Sequence, residues 1–219
     1  MEKYEKFKHE VLAGAIWLAE SGYLGKRSSG GNISIRIPNE SILAITPSGK
    51  SYLQLDVNDI CIMDFNGKTV DGRFAPSIEA RMHIGVYEIR DDVNAVIHTH
   101  QTFASVLAAI NKPIPALFDE IIVEIGHEVA MIPYAFSGTS ELVRNVTRQL
   151  GNACHCYIIQ NHGALSLGAD MDRALKNVEL LENVAKIYYY ALTTGETVTT
   201  LPEDAIAYFS EMRKLRFSS

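Results

Sequence analysis

Apolar positions near the start of the chain recur at helical spacing. Phe7, Val11, Leu12, Ala15, Leu18 and Ala19 share one face, and Gly22 supplies a stop. After a loop, Ser28-Ser29-Gly30-Gly31-Asn32, the period changes to two: Ile33, Ile35 and Ile37 alternate with polar residues, as in a half-buried strand. A second strand is predicted from Ile42 to Thr46, broken by Pro47-Ser48-Gly49. Two more, Ile60 to Phe65 and Lys68 to Val70, flank Asn66-Gly67, a strong hairpin signal. Helical spacing returns at Ile78, Met82, Gly85, Val86 and Ile89. A short strand from Ala95 to His100 then leads into an Ala-rich helix from about Thr102 to Ile110. Further strands are expected at Glu128 to Ile132 and Cys156 to Gln160, with a helix between them that Thr139 would cap. A long helix from Asp170 to about Leu192 carries Leu175, Val178, Leu181, Ala185 and Tyr188, and the tail after Leu201 is expected to add one more. Hairpins early and helix-strand alternation later predict one layered α/β domain over residues 1–219, with a mixed sheet.

Composition narrows the class without naming a function. Apolar residues make up 47% and charged residues 21%, ordinary values for a globular chain with a buried core. A net charge of -6 argues against a broad basic surface for nucleic acid. No apolar run approaches the roughly 20 residues needed to span a bilayer. The charged start (Glu2, Lys3, Glu5, Lys6) lacks the apolar core of a signal peptide. Cys154 and Cys156 flank His155, but Cys154 to Ile159 reads as a buried strand rather than a metal cluster, and the 3 Cys do not make a disulfide framework. A reducing cytoplasm is the expected location.

The chemistry begins at His98-Thr99-His100. Alternate side chains on a strand share a face, so the two imidazoles project together and can chelate one ion. Catalytic zinc usually takes three protein ligands and keeps a position open. Two histidines at a sheet end are, taken alone, as often plain polar residues as ligands. Gln160-Asn161-His162-Gly163 adds a third imidazole where an apolar strand ends, with Gly163 letting the chain turn behind it. Pro76-Ser77-Ile78-Glu79 puts a carboxylate in the first turn of a helix. The helix dipole accounts for Glu79's position, but not for its company. His83, four residues on, shares that face and reads as a hydrogen-bonded packing residue rather than a fourth ligand. His9, His127 and His155 have no partner pattern and read as structural or surface residues.

Three segments have the composition of anion-cradling turns: Ser28 to Asn32, Thr46-Pro47-Ser48-Gly49-Lys50, and Pro76-Ser77 at a helix start. None has Walker spacing, and each alone is an ordinary turn. Beside a metal cluster, they point to a phosphorylated small molecule.

The joint order of Gly31-Asn32-Ile33-Ser34, Ile45-Thr46-Pro47-Ser48-Gly49, Pro76-Ser77-Ile78-Glu79, His98-Thr99-His100 and Asn161-His162-Gly163 resembles the class II aldolase/adducin family, on its fuculose-phosphate aldolase branch. The resemblance covers most of the chain, from the first helix to about Leu192. It implies a three-layer α/β/α domain with a mixed, largely antiparallel sheet, assembled as a homotetramer with active sites at subunit interfaces. It also implies a zinc-dependent lyase that reversibly cleaves a sugar phosphate, a ketose 1-phosphate or a relative, through a metal-stabilised enediolate. Zinc, one per subunit, would sit on His98, His100 and His162, with Glu79 as ligand and acid/base; cobalt, manganese or iron suit the same donors. Phosphate would fall to Ser29, Asn32, Ser48, Gly49 and Ser77. Two departures stand out. Ile78 replaces a second serine, and Asp119, followed by Glu120, stands where the branch has a tyrosine, which makes Asp119 a candidate second acid/base. Tyr208 is the candidate for a C-terminal tyrosine that some members use. An epimerase, dehydratase or decarboxylase on the same site remains an alternative. A non-catalytic adducin-like interaction module is a weaker one, since it has no need of three metal-competent histidines.

Overall fold

Eight strands form one sheet in the computed structural model, which describes residues 2–24 and 30–217. They are β1 (Gly31–Arg36), β2 (Ile42–Ile45), β3 (Cys61–Asp64), β4 (Thr69–Asp71), β5 (Ala95–Thr99), β6 (Ala130–Ile132), β7 (Cys156–Ile159) and β8 (Gly163–Gly168). Their spatial order is β4-β3-β2-β1-β5-β8-β7-β6. Every neighbouring pair is antiparallel except β6 with β7. The sheet is therefore mixed and largely antiparallel, as expected.

The helices are α1 (Glu2–Glu20), α2 (Ala80–Ile89), α3 (Thr102–Ala109), α4 (Asp119–Glu124), α5 (Ser140–Gln149), α6 (Met171–Thr193) and α7 (Glu203–Phe217). Strand alternation sorts them into two outer layers. On one face Leu43, Ile45, Val96, Tyr157 and Leu165 pack with Met82 and Val86 of α2 and with Leu142 and Val146 of α5. On the other, Ile33, Ile35, Ala95 and Ile97 meet Val11, Ala15 and Leu18 of α1 and Met171, Ala174 and Val178 of α6. Farther along that face Leu107 of α3, Ile121 of α4 and Leu181 of α6 cover Ile158 and Ala164. Each large side chain taken from water contributes about 1.5–3 kcal/mol to holding these layers together.

The hairpin at Asn66-Gly67 forms, with Gly67 in the left-handed region at φ 91°. Thr139 caps α5 by accepting from the Leu142 N–H, and Asp170 caps α6 through Arg173. Two elements differ from expectation. α4 is too short at six residues to declare a helical period, and β8 is a run of small and Leu residues between two glycines that lacks β-branched side chains. α2 also starts later than its apolar spacing implies, because residues 77 to 79 form a turn before Ala80. Cys61, Cys154 and Cys156 are buried free thiols. Among the described residues, no helix is long and apolar enough to cross a membrane.

Candidate metal centre and adjoining cleft

β5 lies between β1 and β8, and its register sets the site. His98 faces Asn32 of β1 on one side and Leu165 of β8 on the other. Its ring, fully buried, projects to the same face as Val96, toward the start of α2. His100 stands just past the strand end, where burial relaxes. The tight turn from β7 to β8 delivers His162. Its left-handed residue is Asn161, at φ 52°, a conformation that asparagine tolerates. Gly163 is thus needed for space rather than for the turn: a Cβ there would lie 2.4 Å from the Thr99 carbonyl oxygen and 2.6 Å from His100 Cδ2.

The three imidazoles converge. Ligand atoms of His98, His100 and His162 all lie within 4.8 Å of one another. His98 Nδ1 donates to the Ala164 carbonyl at 2.9 Å, which leaves Nε2 bare and aimed into the cluster. His98 Nε2 and His100 Nε2 are 3.0 Å apart. Glu79 Oε2 is 3.5 Å from His98 Nε2, and Oε1 is 3.3 Å from His162 Nε2. Donors arranged tetrahedrally about a zinc-sized ion, at about 2.0–2.1 Å each, are spaced about 3.3 Å apart. Glu79 Oε1 is buried without a hydrogen-bond partner among the described residues, a costly state that a cation between the imidazoles relieves. The donor set fits a small divalent ion.

Electrostatics agree with that fit. Burial works to raise Glu79, but His98, the Asn32 amide, His162 and His83 together hold its carboxyl below the usual range. Burial, the largest influence, pushes both His98 and His100 below the ordinary histidine range. Neutral imidazoles beside a carboxylate are the state that binds a cation.

One cleft of about 220 Å³ joins this cluster to the turns singled out in the sequence. Asn32, Ser48, Gly49 and Ser77 line it together with Glu79, His100 and His162. Ser29 lies outside the described residues. The loop after β2 is clamped to the segment before α2: Ser48 N–H donates to Ala75 O at 2.9 Å, and Ser77 N–H to Thr46 O at 3.1 Å. Those two amides are therefore engaged within the protein, whereas the Ser48 and Ser77 hydroxyls can still donate to an anion, the Ser77 oxygen accepting from the Glu79 N–H at 3.2 Å. Asn32 also has its side chain engaged, its Nδ2 donating to Glu79 Oε2 at 2.8 Å. Ile78 lines the cleft and is 65% exposed.

Not every candidate is brought in. Asp119 and Glu120 open α4 and line a separate recess with Phe209 and Arg216. Tyr208 is an exposed residue of α7 and is not among the residues lining the cleft. Conversely, Ser137 lines the cleft with its Oγ 3.5 Å from His162 Nε2, and sequence reasoning missed it. The available signal was the small hydroxyl and glycine run Ser137-Gly138-Thr139, of which only Thr139 was read, as a helix cap. His83 uses both ring nitrogens in hydrogen bonds, to Ser34 and Asn32.

Comparison with known proteins agrees with this geometry. The family described as Class II Aldolase and Adducin N-terminal domain matches residues 9–189. An L-fuculose phosphate aldolase of Escherichia coli O6:H1 is 33% identical over 188 residues, covering 86% of this chain and 86% of that protein. A 5-deoxy-D-ribulose 1-phosphate aldolase of Bacillus thuringiensis serovar kurstaki is 31% identical over 200 residues, covering 91% of this chain and 92% of that protein. A solved L-fuculose 1-phosphate aldolase superposes with a TM-score of 0.88 at 35% identity, over 95% of this chain and 96% of its own. The chain belongs to the class II aldolase and adducin family.

Proposed function

We propose that this protein is a zinc-dependent lyase that reversibly cleaves a ketose 1-phosphate or a closely related sugar phosphate into an aldehyde and a phosphorylated ketone. The observation that carries the reading is the convergence of His98, His100, His162 and Glu79 at one end of a cleft lined by Ser48 and Ser77. His98, His100 and His162 would hold the ion, and when bound it supplies Lewis-acid withdrawal of electron density from the substrate oxygens. The Ser48 and Ser77 hydroxyls hold the phosphate, which fixes the distance from phosphorus to the reacting carbons. A base takes the hydroxyl proton, the adjacent carbon-carbon bond breaks, and the electron pair remains on the carbon next to the carbonyl. Glu79, ionised at rest, takes up a proton and hands it to that carbon through Oε1, the buried oxygen beside His162 that has no hydrogen-bond partner among the described residues.

The family resemblance supports a homotetramer with sites completed by a neighbouring subunit. Asp119 and Tyr208, which lie off the cleft of their own chain, are candidates for what a neighbour supplies. Three buried free thiols suit a reducing cytoplasm.

The test is product analysis of the zinc-loaded protein with a panel of ketose 1-phosphates and their unphosphorylated counterparts. Release of an aldehyde and a phosphorylated ketone is the expected result. Carbon dioxide, an epimer or loss of water would reassign the same site to a decarboxylase, epimerase or dehydratase. No metal uptake and no turnover would favour an interaction module.

A further inference from the structure

Between β1 and α2 lies a buried line of polar side chains that ends on Glu79 and whose other members the proposed chemistry leaves unused. Asn32 Nδ2 is 2.8 Å from Glu79 Oε2, and Asn32 Oδ1 is 2.5 Å from His83 Nε2. His83 Nδ1 is 2.7 Å from Ser34 Oγ, which is 2.7 Å from the Tyr87 hydroxyl. All five residues are at most 5% exposed.

Their hydrogens are determined by elimination. An ionised carboxylate only accepts, so the Asn32 amide nitrogen faces Glu79 and its oxygen faces His83. That oxygen also only accepts, so His83 carries its proton on Nε2 and leaves Nδ1 bare. Nδ1 takes the Ser34 hydroxyl hydrogen, and the Ser34 oxygen then takes that of Tyr87. Every hydrogen in the line points toward Glu79. Reversing any one link sets two buried donors or two buried acceptors against each other, so the line holds a single direction.

We infer that His83, backed by Ser34 and Tyr87, is a positioning residue that acts through Asn32 to hold Glu79 Oε2 and so keeps Oε1 turned toward His162 and the reacting end of the site. The inference rests on the reading of Glu79 as the proton carrier. It also gives Asn32 a role other than phosphate binding, since both ends of its amide are engaged. A helix residue with its polar atoms satisfied would serve stability alone. What sets this line apart is that it ends on one oxygen of a carboxylate whose other oxygen has no hydrogen-bond partner among the described residues and faces His162 at 3.3 Å.

The test uses Ser34→Ala and Tyr87→Phe, which each delete one hydroxyl, together with His83→Leu and His83→Gln. With any substrate that wild-type enzyme cleaves, Ser34→Ala is expected to lower kcat about 10- to 100-fold with KM unchanged. His83→Leu falls at least as far, and His83→Gln, which retains one donor and one acceptor, recovers most of the loss. A second readout needs no turnover. Nitrogen-15 NMR of the histidine rings should show His83 neutral and protonated at Nε2. An Nδ1–H tautomer, or a full kcat in folded Ser34→Ala and His83→Leu, overturns the inference. A wild-type protein that cleaves nothing refutes the aldolase reading instead, and the tautomer still decides whether the line has this direction.

Discussion

His98 Nε2 and His100 Nε2 stand 3.0 Å apart, while the Ala164 carbonyl already takes the hydrogen on His98 Nδ1. His98 therefore presents a bare nitrogen, and in the metal-free protein His100 fills the gap with its own Nε2–H. A bound cation takes the place of that hydrogen, so capture of an ion requires His100 to carry its proton on Nδ1. Elemental analysis should find about one ion per chain in the wild type and close to none in His98→Ala. Because burial holds His98 and His100 below the ordinary histidine range, protons compete poorly for the site. Zinc affinity should stay nearly level from pH 8 down to about 6.5, where free imidazoles begin to protonate, and decline only in stronger acid. A steep loss already at neutral pH would contradict this picture of the cluster.

Glu79→Gln tests the carboxylate without disturbing its surroundings. The amide oxygen can still accept from Asn32, as Oε2 does at 2.8 Å, but the group no longer carries an exchangeable acid proton. Metal content should persist on the three imidazoles, while kcat falls by about 10²- to 10⁴-fold, the usual range for a lost general acid/base. Steady-state kinetics beside metal analysis reads both at once. Turnover equal to wild type would remove Glu79 from proton transfer.

At Gly163 the metal cluster and the sheet share the same space. An added Cβ would meet the Thr99 carbonyl oxygen at 2.4 Å and His100 Cδ2 at 2.6 Å, so either the pairing of β5 with β8 or the His100 ring must shift. Gly163→Ala should therefore lower stability by about 1–3 kcal/mol, as overpacking does, and weaken metal binding in parallel. Urea unfolding of the metal-free protein and calorimetric zinc titration are the two measurements. A variant with normal affinity would show that His100 tolerates displacement.

How much of this was legible in the sequence depended on the range of the interaction. His98 and His100 could be paired from the strand period alone, since residues two apart must share a face. Glu79 and His162 joined them through a recognisable motif order rather than through any local rule. The pairing of Asn32 with His98 across β1 and β5 was not readable, because strand order and register come from the whole sheet. The line from Tyr87 to Glu79 therefore stayed hidden: Asn32, Ser34, Glu79 and His83 were each in view, but Tyr87 was not singled out at all. Gly163 was read as a turn residue because glycine usually is one. The turn conformation instead fell to Asn161, and only the closeness of Thr99 and His100 explains the missing side chain. α4, at six residues, offered too little sequence for a period to appear.

The anion end of the cleft makes a separate prediction. With the Ser48 and Ser77 amides engaged by Ala75 and Thr46, those two residues can reach an anion only through their hydroxyls. Ser48→Ala should raise KM for a phosphorylated ketose about tenfold or more, the worth of one hydrogen bond to a charged group. The same change should leave KM for the unphosphorylated sugar unaltered. Ile78→Ser, which adds a hydroxyl at an exposed position of the cleft lining, should shift the phosphorylated substrate in the opposite direction. Equal effects on both substrates would show that the phosphate sits elsewhere.

Far from the cleft, His155 ties α7 to the start of β7 and makes stability depend on pH. Arg213 Nη2 donates to His155 Nδ1 at 2.8 Å, and the opposite nitrogen faces Asp92 Oδ2 at 3.5 Å. Burial holds this imidazole down at about 4, against the pull of Asp92 and with help from Arg213 and Arg90. The unfolded chain, with histidine near 6.5, then binds a proton that the folded protein refuses. Stability is full above that value, falls as pH drops from about 6.5 toward about 4, and levels off below. The loss is about 1.4 kcal/mol per pH unit for such a histidine. Replacing the imidazole by His155→Gln keeps an acceptor for Arg213 and removes the titration. In urea denaturation of the metal-free protein at pH 7, 6 and 5, the variant should lose less stability than wild type by about 2 kcal/mol over the whole interval, most of it between pH 6 and 5. Parallel curves for the two proteins would mean that His155 takes up its proton in the folded state, and that the contact with Asp92 outweighs burial.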